Sequence, residues 1–299
     1  AILSDYGAFM PGHSLQYRQS PPSGGPGWYN HELTDFMIRA KVATSYEWRN
    51  NVKYLQGRVW GVWDYDTVYV CGDIIVDTVP GESLKIMPGV VVCFRDTWRF
   101  TAREKLIAEG TPAETIKFIP EDTVKGWKGI YGELPFAKRI KLQYIYLFGV
   151  KGRSAIEVFG DFYKDTIIVR DGKIERCSVD SGAIFLHDTD PYWDEVFSKR
   201  WIVKNEINNI KTKLGVITIK IEQTVYIDSN KIAECDSNVV YLIYSKADIR
   251  YNEIKNNKGY VVVCPTYRDE YGDYWGSGAF LAENIIENNG CLLYTSDAA

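Results

Sequence analysis

Asn205, Asn230, Asn252 and Asn284 each stand two residues before an isoleucine, in four segments that read alike: IVKNEINN (202–209), YIDSNKIAEC (226–235), IRYNEIKNN (249–257) and LAENIIENN (281–289). The asparagines are 25, 22 and 32 residues apart, the interval in which repetition predicts a solenoid and not a globular core. Each phrase also holds two apolar residues five positions apart: Ile202 and Ile207, Ile227 and Ile232, Ile249 and Ile254, Leu281 and Ile286. On a straight strand a five-step interval changes pleat face, so the chain must bend between them for both to enter one interior. An asparagine at that bend tolerates left-handed backbone and can bond its own main chain. Asparagines one rung apart, about 4.8 Å, can also bond each other as a structural ladder. Alternating apolar runs follow the corners, GAIFL (182–186), GVITIKI (215–221), NVVYL (238–242) and GYVVV (259–263), and each predicts a strand. Phrase, corner, strand and return make one coil of a parallel β-helix.

The pattern extends towards the N-terminus with decay. VRDGKI (169–174) puts Gly172 at the ladder position, and IKLQYI (140–145) puts Gln143 there. Further upstream, SLKIMPGVVVCF (83–94), KLIAEGTPAETIKFI (105–119) and GWKGIYG (126–132) form an opening series. Over roughly residues 60–290 this resembles the right-handed parallel β-helix repeat proteins of bacterial surfaces and secreted enzymes. The resemblance implies an all-β solenoid and an exported or cell-surface location. It does not choose an activity, because that family holds polysaccharide lyases, hydrolases, adhesins and spacers alike.

Composition agrees, with 21 Tyr, 9 Trp and 12 Phe and no long amphipathic helical pattern. A net charge of −4 gives no electrostatic reason to expect nucleic acid. No run approaches the ~18 apolar residues of a membrane span. Residues 1–58 read as an N-terminal remnant, a Pro/Gly linker at SPPSGGPG (20–27) and a cap, and 59–290 as the β-helix. The chain starts at Ala1 with no charged-then-apolar leader, so no signal peptide is visible. Residues 291–299, CLLYTSDAA, resemble a translated sequencing adaptor and are expected to be a non-native tail.

Before that tail come Cys71, Cys93, Cys177, Cys235 and Cys264, with no C-x-x-C pair. Cys177 and Cys235 each follow a phrase isoleucine by three residues, with Ile210 at the same position on the coil between. They are therefore two rungs, about 10 Å, apart, beyond the ~7 Å reach of a disulfide. Both are expected to be reduced, buried thiols.

Site signals are sparser. His13, His31 and His187 are too scattered for a histidine metal centre, and HELTD (31–35) is not H-E-x-x-H. Two coils carry insertions after the same strand, 187–200 and 264–278, so both loops are expected on one face, about 14 Å apart. Tyr192, Trp193, Tyr267, Arg268, Tyr274 and Trp275 in the loops, with Tyr241 on the strand floor between them, are candidates to stack on sugars. Alternation also points Thr218, Lys220 and Glu222 outward there. Asp188, Asp190 and Glu222 could supply the paired carboxyls of glycoside hydrolysis, and Lys220 the base of a polysaccharide lyase. Asp188, Asp190 and Asp194 form a D-x-D-x-x-x-D run that could hold Ca²⁺, the one cofactor the sequence suggests. These residue types are common on any surface. The sequence therefore favours a non-catalytic scaffold, adhesin or glycan-binding module over a polysaccharide-degrading enzyme.

Overall fold

The computed structural model describes residues 14–18, 27–31, 51–77, 83–134, 139–160, 166–188, 199–220, 224–265, 267–268 and 274–296. The chain forms two compact units, Ala1–Trp48 and Arg49–Ala299. Within the first, Ser14–Arg18 pairs antiparallel with Gly27–His31.

The second unit is an all-β parallel β-helix. A representative coil runs through Thr166–Arg170, Lys173–Glu175 and Ser178–Asp188. The next repeats it as Lys199–Val203, Glu206–Asn208 and Gly215–Lys220. Each strand pairs in parallel with its counterpart one coil on, as with Ile202 beside Ile227 and Ile207 beside Ile232. The first strands of the coils make a sheet of nine strands among the described residues; the second and third share a longer one. Parallel pairing starts at Val52, which lies beside Thr67. At the other end Cys291–Ser296 occupies the third-strand place, paired with Tyr260–Pro265.

A single left-handed residue makes each corner, and at the first corners it is not the ladder asparagine. Lys204, Ser229, Tyr251 and Glu283 have φ of 55°, 56°, 55° and 56°, and each immediately precedes its asparagine. The second corners turn at Arg176, Asn209, Glu234, Asn256 and Asn288, with φ between 52° and 57°. A left-handed non-glycine residue costs on the order of 1–2 kcal/mol, so something must hold these corners. Part of the answer is in the backbone: the N–H of Lys204 donates to Asp228 O at 3.0 Å, and that of Ser229 to Arg250 O at 3.0 Å. The rest comes from the asparagine side chains.

Asn230 Oδ1 accepts from the backbone N–H and the side-chain amide of Asn205, at 2.9 and 3.0 Å. Asn252 does the same for Asn230, and Asn284 for Asn252. Each side-chain amide also reaches a first-strand carbonyl of the preceding coil: Asn205 to Val169, Asn230 to Ile202, Asn252 to Ile227. The row starts at Gly172, whose N–H donates to Asn205 Oδ1 at 3.0 Å. Below Gly172 the same column holds Ile145, since Tyr146 pairs with Lys173. Gln143 is therefore not in it. That glutamine ends the first strand, opposite Arg170, because the left-handed corner in its coil is Tyr144. A second row occupies the other corner, where Asn257 bonds Asn289 and Cys235 N–H donates to Asn257 Oδ1.

The interior is one continuous apolar cluster running along the axis. Its opening rungs are aromatic. Trp127 is fully buried, stacks on Phe94 with ring centres 3.9 Å apart, and donates its indole N–H to Phe148 O at 2.9 Å. Later rungs replace the rings with isoleucine columns, which suit strands buried on one face and stacked in register.

Outside, the second strands set charge against charge. Lys173, Glu206, Lys231 and Glu253 follow one another up a single column. Lys173 reaches Glu206 at 3.7 Å, and Lys231 reaches Glu253 at 3.8 Å. A hydrogen bond from Lys255 holds the Glu253 carboxyl below its ordinary range. Opposite charges directly across neighbouring strands favour this register over a slipped one. Lys231→Glu lines up three carboxylates and is expected to lower the melting temperature slightly, with recovery in 1 M salt, where the screening length falls to about 3 Å. An unchanged melt at low salt would show that the column carries no register information.

Candidate functional site

The outer face of the third strands is where the sequence places its candidate residues. Register aligns Tyr131, Glu157, Phe185, Thr218 and Tyr241 in one column. Glu133, Phe159, His187 and Lys220 form the next. Their strand neighbours Ile156, Ile184 and Ile217 belong to the interior cluster, so alternation carries these columns to the outside.

Glu157 organises the centre. Its Oε1 lies 2.9 Å from His187 Nε2 and 3.0 Å from Arg153 Nη1. The imidazole stacks on Phe185 at 4.4 Å and packs against Phe159 at 4.6 Å. The Arg153 guanidinium lies over the same Phe185 ring at 5.3 Å. Carboxylate, imidazole and guanidinium thus close on one another around an aromatic wall. Glu133 has its own partner, Arg103, at 3.0 Å. Burial, with the carboxylates of Glu133 and Glu157 adding to it, pushes the Tyr131 phenol above its ordinary range.

The centre of this face is shielded. Glu157 and Phe185 are 4 % exposed and Thr218 is fully buried, although all three project away from the interior. Thr218, expected as an open floor residue, instead donates its hydroxyl to Ser181 O at 2.6 Å. Lys220 is exposed and lies opposite His187. Tyr241 is half-buried, and its column continues through Val263 and Tyr294. Asp188 closes its strand opposite Gly160. Tyr267–Arg268 and Tyr274–Trp275 form a short antiparallel pair, with Tyr267 opposite Trp275. Asp190, Tyr192, Trp193, Asp194 and Glu222 lie outside the described residues.

Sequence reasoning missed Glu157 and Arg153 and set His187 aside. Glu157 and His187 are 30 residues apart, with nothing in either local pattern to join them. The available signal was register. Carrying the coil repeat back one rung places Glu157 opposite Phe185, two residues from the histidine.

Among the described residues no group of three or more His, Cys, Asp or Glu side chains converges on a possible metal site, and no helix is long and apolar enough to cross a membrane. Fold and outer face together define a parallel β-helix protein. Compared with family models, curated proteins and solved structures, the chain shows no significant match in any of the three.

Proposed function

We propose that the β-helix is a non-catalytic, glycan-binding module of an exported or cell-surface protein. The observation that supports it is the state of the ionisable groups on the outer face. Glu157 is occupied by His187 and Arg153, and Glu133 by Arg103. Groups engaged in this way fix rings and strands, whereas acid–base catalysis requires a group within reach of the substrate proton. The exported location rests on the resemblance of the opening coils to β-helix repeat proteins.

A polysaccharide-degrading enzyme is the second reading, and one observation favours it. A histidine bound to a carboxylate through one ring nitrogen is the arrangement that orients a general base, and Lys220 lies beside it on the next strand. A glycan array combined with a polysaccharide-cleavage screen separates the two. The expected result is binding with no chain shortening and no new reducing or unsaturated ends. Cleavage that disappears in His187→Gln, Lys220→Ala or Glu222→Gln would replace the binding module with the enzyme.

A further inference from the structure

The nine-stranded sheet also has an outer side, and there the chain exposes aromatic rings that the interior does not use. Trp201, Tyr226, Asp248 and Phe280 occupy one column on successive rungs, each about 4.8 Å from the next. Trp201 is 36 % exposed, Tyr226 46 % and Phe280 57 %. Strand geometry does not demand rings here, since earlier rungs of the same column carry Lys85, Lys141 and Ile168.

The surroundings narrow the kind of ligand. Beside the ring column, on the next outward positions, stand Asp228 and Arg250. Arg250 is held by Asp248 through two hydrogen bonds of 2.6 and 2.8 Å, and its guanidinium covers the Phe280 ring at 4.9 Å. Tyr226, Asp228, Asp248, Arg250 and Tyr251 line a shallow depression of about 310 Å³. Charged groups thus interrupt the rings, and the surface is not the continuous apolar patch of several hundred Å² that protein docking uses. An anionic ligand finds two carboxylates and a guanidinium already neutralised by one of them. A match needs flat apolar faces alternating with uncharged hydroxyls.

We propose that this column binds an extended neutral glycan, with the Trp201 indole and Tyr226 phenol as the stacking platform and Asp228 accepting hydroxyl hydrogen bonds. Pyranose C–H faces would lie on the rings, and the chain would run along the solenoid axis, where Trp201 and Tyr226 on adjacent rungs repeat the contact. The proposal rests on the glycan-binding reading and assigns that binding to the nine-stranded sheet and not to the sheet that carries the Glu157 cluster.

Affinity gel electrophoresis of the whole chain tests it, with xylan and mixed-linkage β-glucan as neutral probes and polygalacturonate as the acidic one. Wild type is expected to be retarded by a neutral polymer. Trp201→Ala and Tyr226→Ala are each expected to weaken that retardation about tenfold, the weight of one lost stacking contact, while Trp201→Phe retains most of it. Unchanged thermal melts establish that the variants are folded. Retardation unaffected by both alanine variants but lost in Lys220→Ala would overturn the column and leave the glycan-binding reading standing. Retardation by polygalacturonate alone would overturn the column as a neutral-glycan site. No retardation by any polymer would overturn both.

Discussion

Asn230→Leu is expected to destabilise the β-helix by about 3–5 kcal/mol, because it removes a side chain whose polar atoms are all engaged away from water. Asn230 is fully buried. Its Oδ1 holds the Asn205 backbone N–H and amide, and its Nδ2 holds Ile202 O and Asn252 Oδ1. Leucine has similar volume and strands those donors and acceptors in the interior, at about 1–3 kcal/mol for each group left unpaired. It also weakens the corner at Lys204, where the N–H of the following Asn205 loses the side-chain acceptor that reaches it from the next rung. The position along the row sets the size of the effect. Asn284→Leu is expected to cost clearly less, since Asn284 is only partly buried and water can replace what it loses. Urea unfolding of both variants gives the comparison. An Asn230→Leu variant within 1 kcal/mol of wild type would mean that backbone pairing alone holds the corners.

A steep loss of stability between pH 9 and 12 is the second large expected effect, and it comes from two thiols. Burial pushes both Cys177 and Cys235 up from 9.0 to about 12. The folded chain therefore keeps these thiols protonated where the unfolded chain has begun to release the protons. Their contribution is fully present below pH 9 and is lost as pH rises through the interval from the unfolded to the folded value. The loss is about 1.4 kcal/mol per pH unit for each thiol, so a marginally stable domain reaches unfolding well before pH 12. Tyr146 acts in the same sense from pH 10 upward, its phenol raised to about 12 by burial and by the hydrogen bond to Glu175. Valine is a suitable replacement at both cysteines because Ile210 occupies the same column between them, its carbonyl receiving the Asp236 N–H as Cys177 O receives that of Lys211. The Cys177→Val, Cys235→Val chain is expected to lose most of the slope between pH 9 and 10. An equally steep wild-type-like slope in that double variant, followed by urea midpoints at half-unit steps, would assign the alkaline limit elsewhere. Both thiols are free and buried, as their coil positions predicted.

The coil was legible because its logic is local. Ile202 and Ile207 must face one interior across a bend, and the same holds for Ile227 with Ile232 and Ile249 with Ile254; all six are buried. The details of the bend were less legible. Left-handed residues such as Lys204 and Tyr251 have no residue-type signature for that backbone, so the turn was assigned to the asparagine beside them. Ile145 hid a ladder position because an isoleucine there looks like the second apolar residue of the phrase, which drew Gln143 into the column instead.

The site was less legible than the fold. Lys220 and Tyr241 were recognised as outward-facing, yet Thr218 between them on the same face is buried and hydrogen-bonded to Ser181. Alternation says which side of a strand a residue takes, but not whether that side meets water.

The sequence by itself determined the coil, the interior columns and the separation of the two thiols, since each follows from periodicity within about 30 residues of chain. The tertiary structure decided which outward residues become neighbours. That depends on register between coils, which shifts at the irregularity between Gly152 and Ser154 and brings Glu157 within reach of His187. It also decided which rings remain open to solvent. Trp201 and Phe185 both alternate outward from the interior, but one is 36 % exposed and the other 4 %, because exposure is a property of what packs over a strand and not of the strand's own pattern.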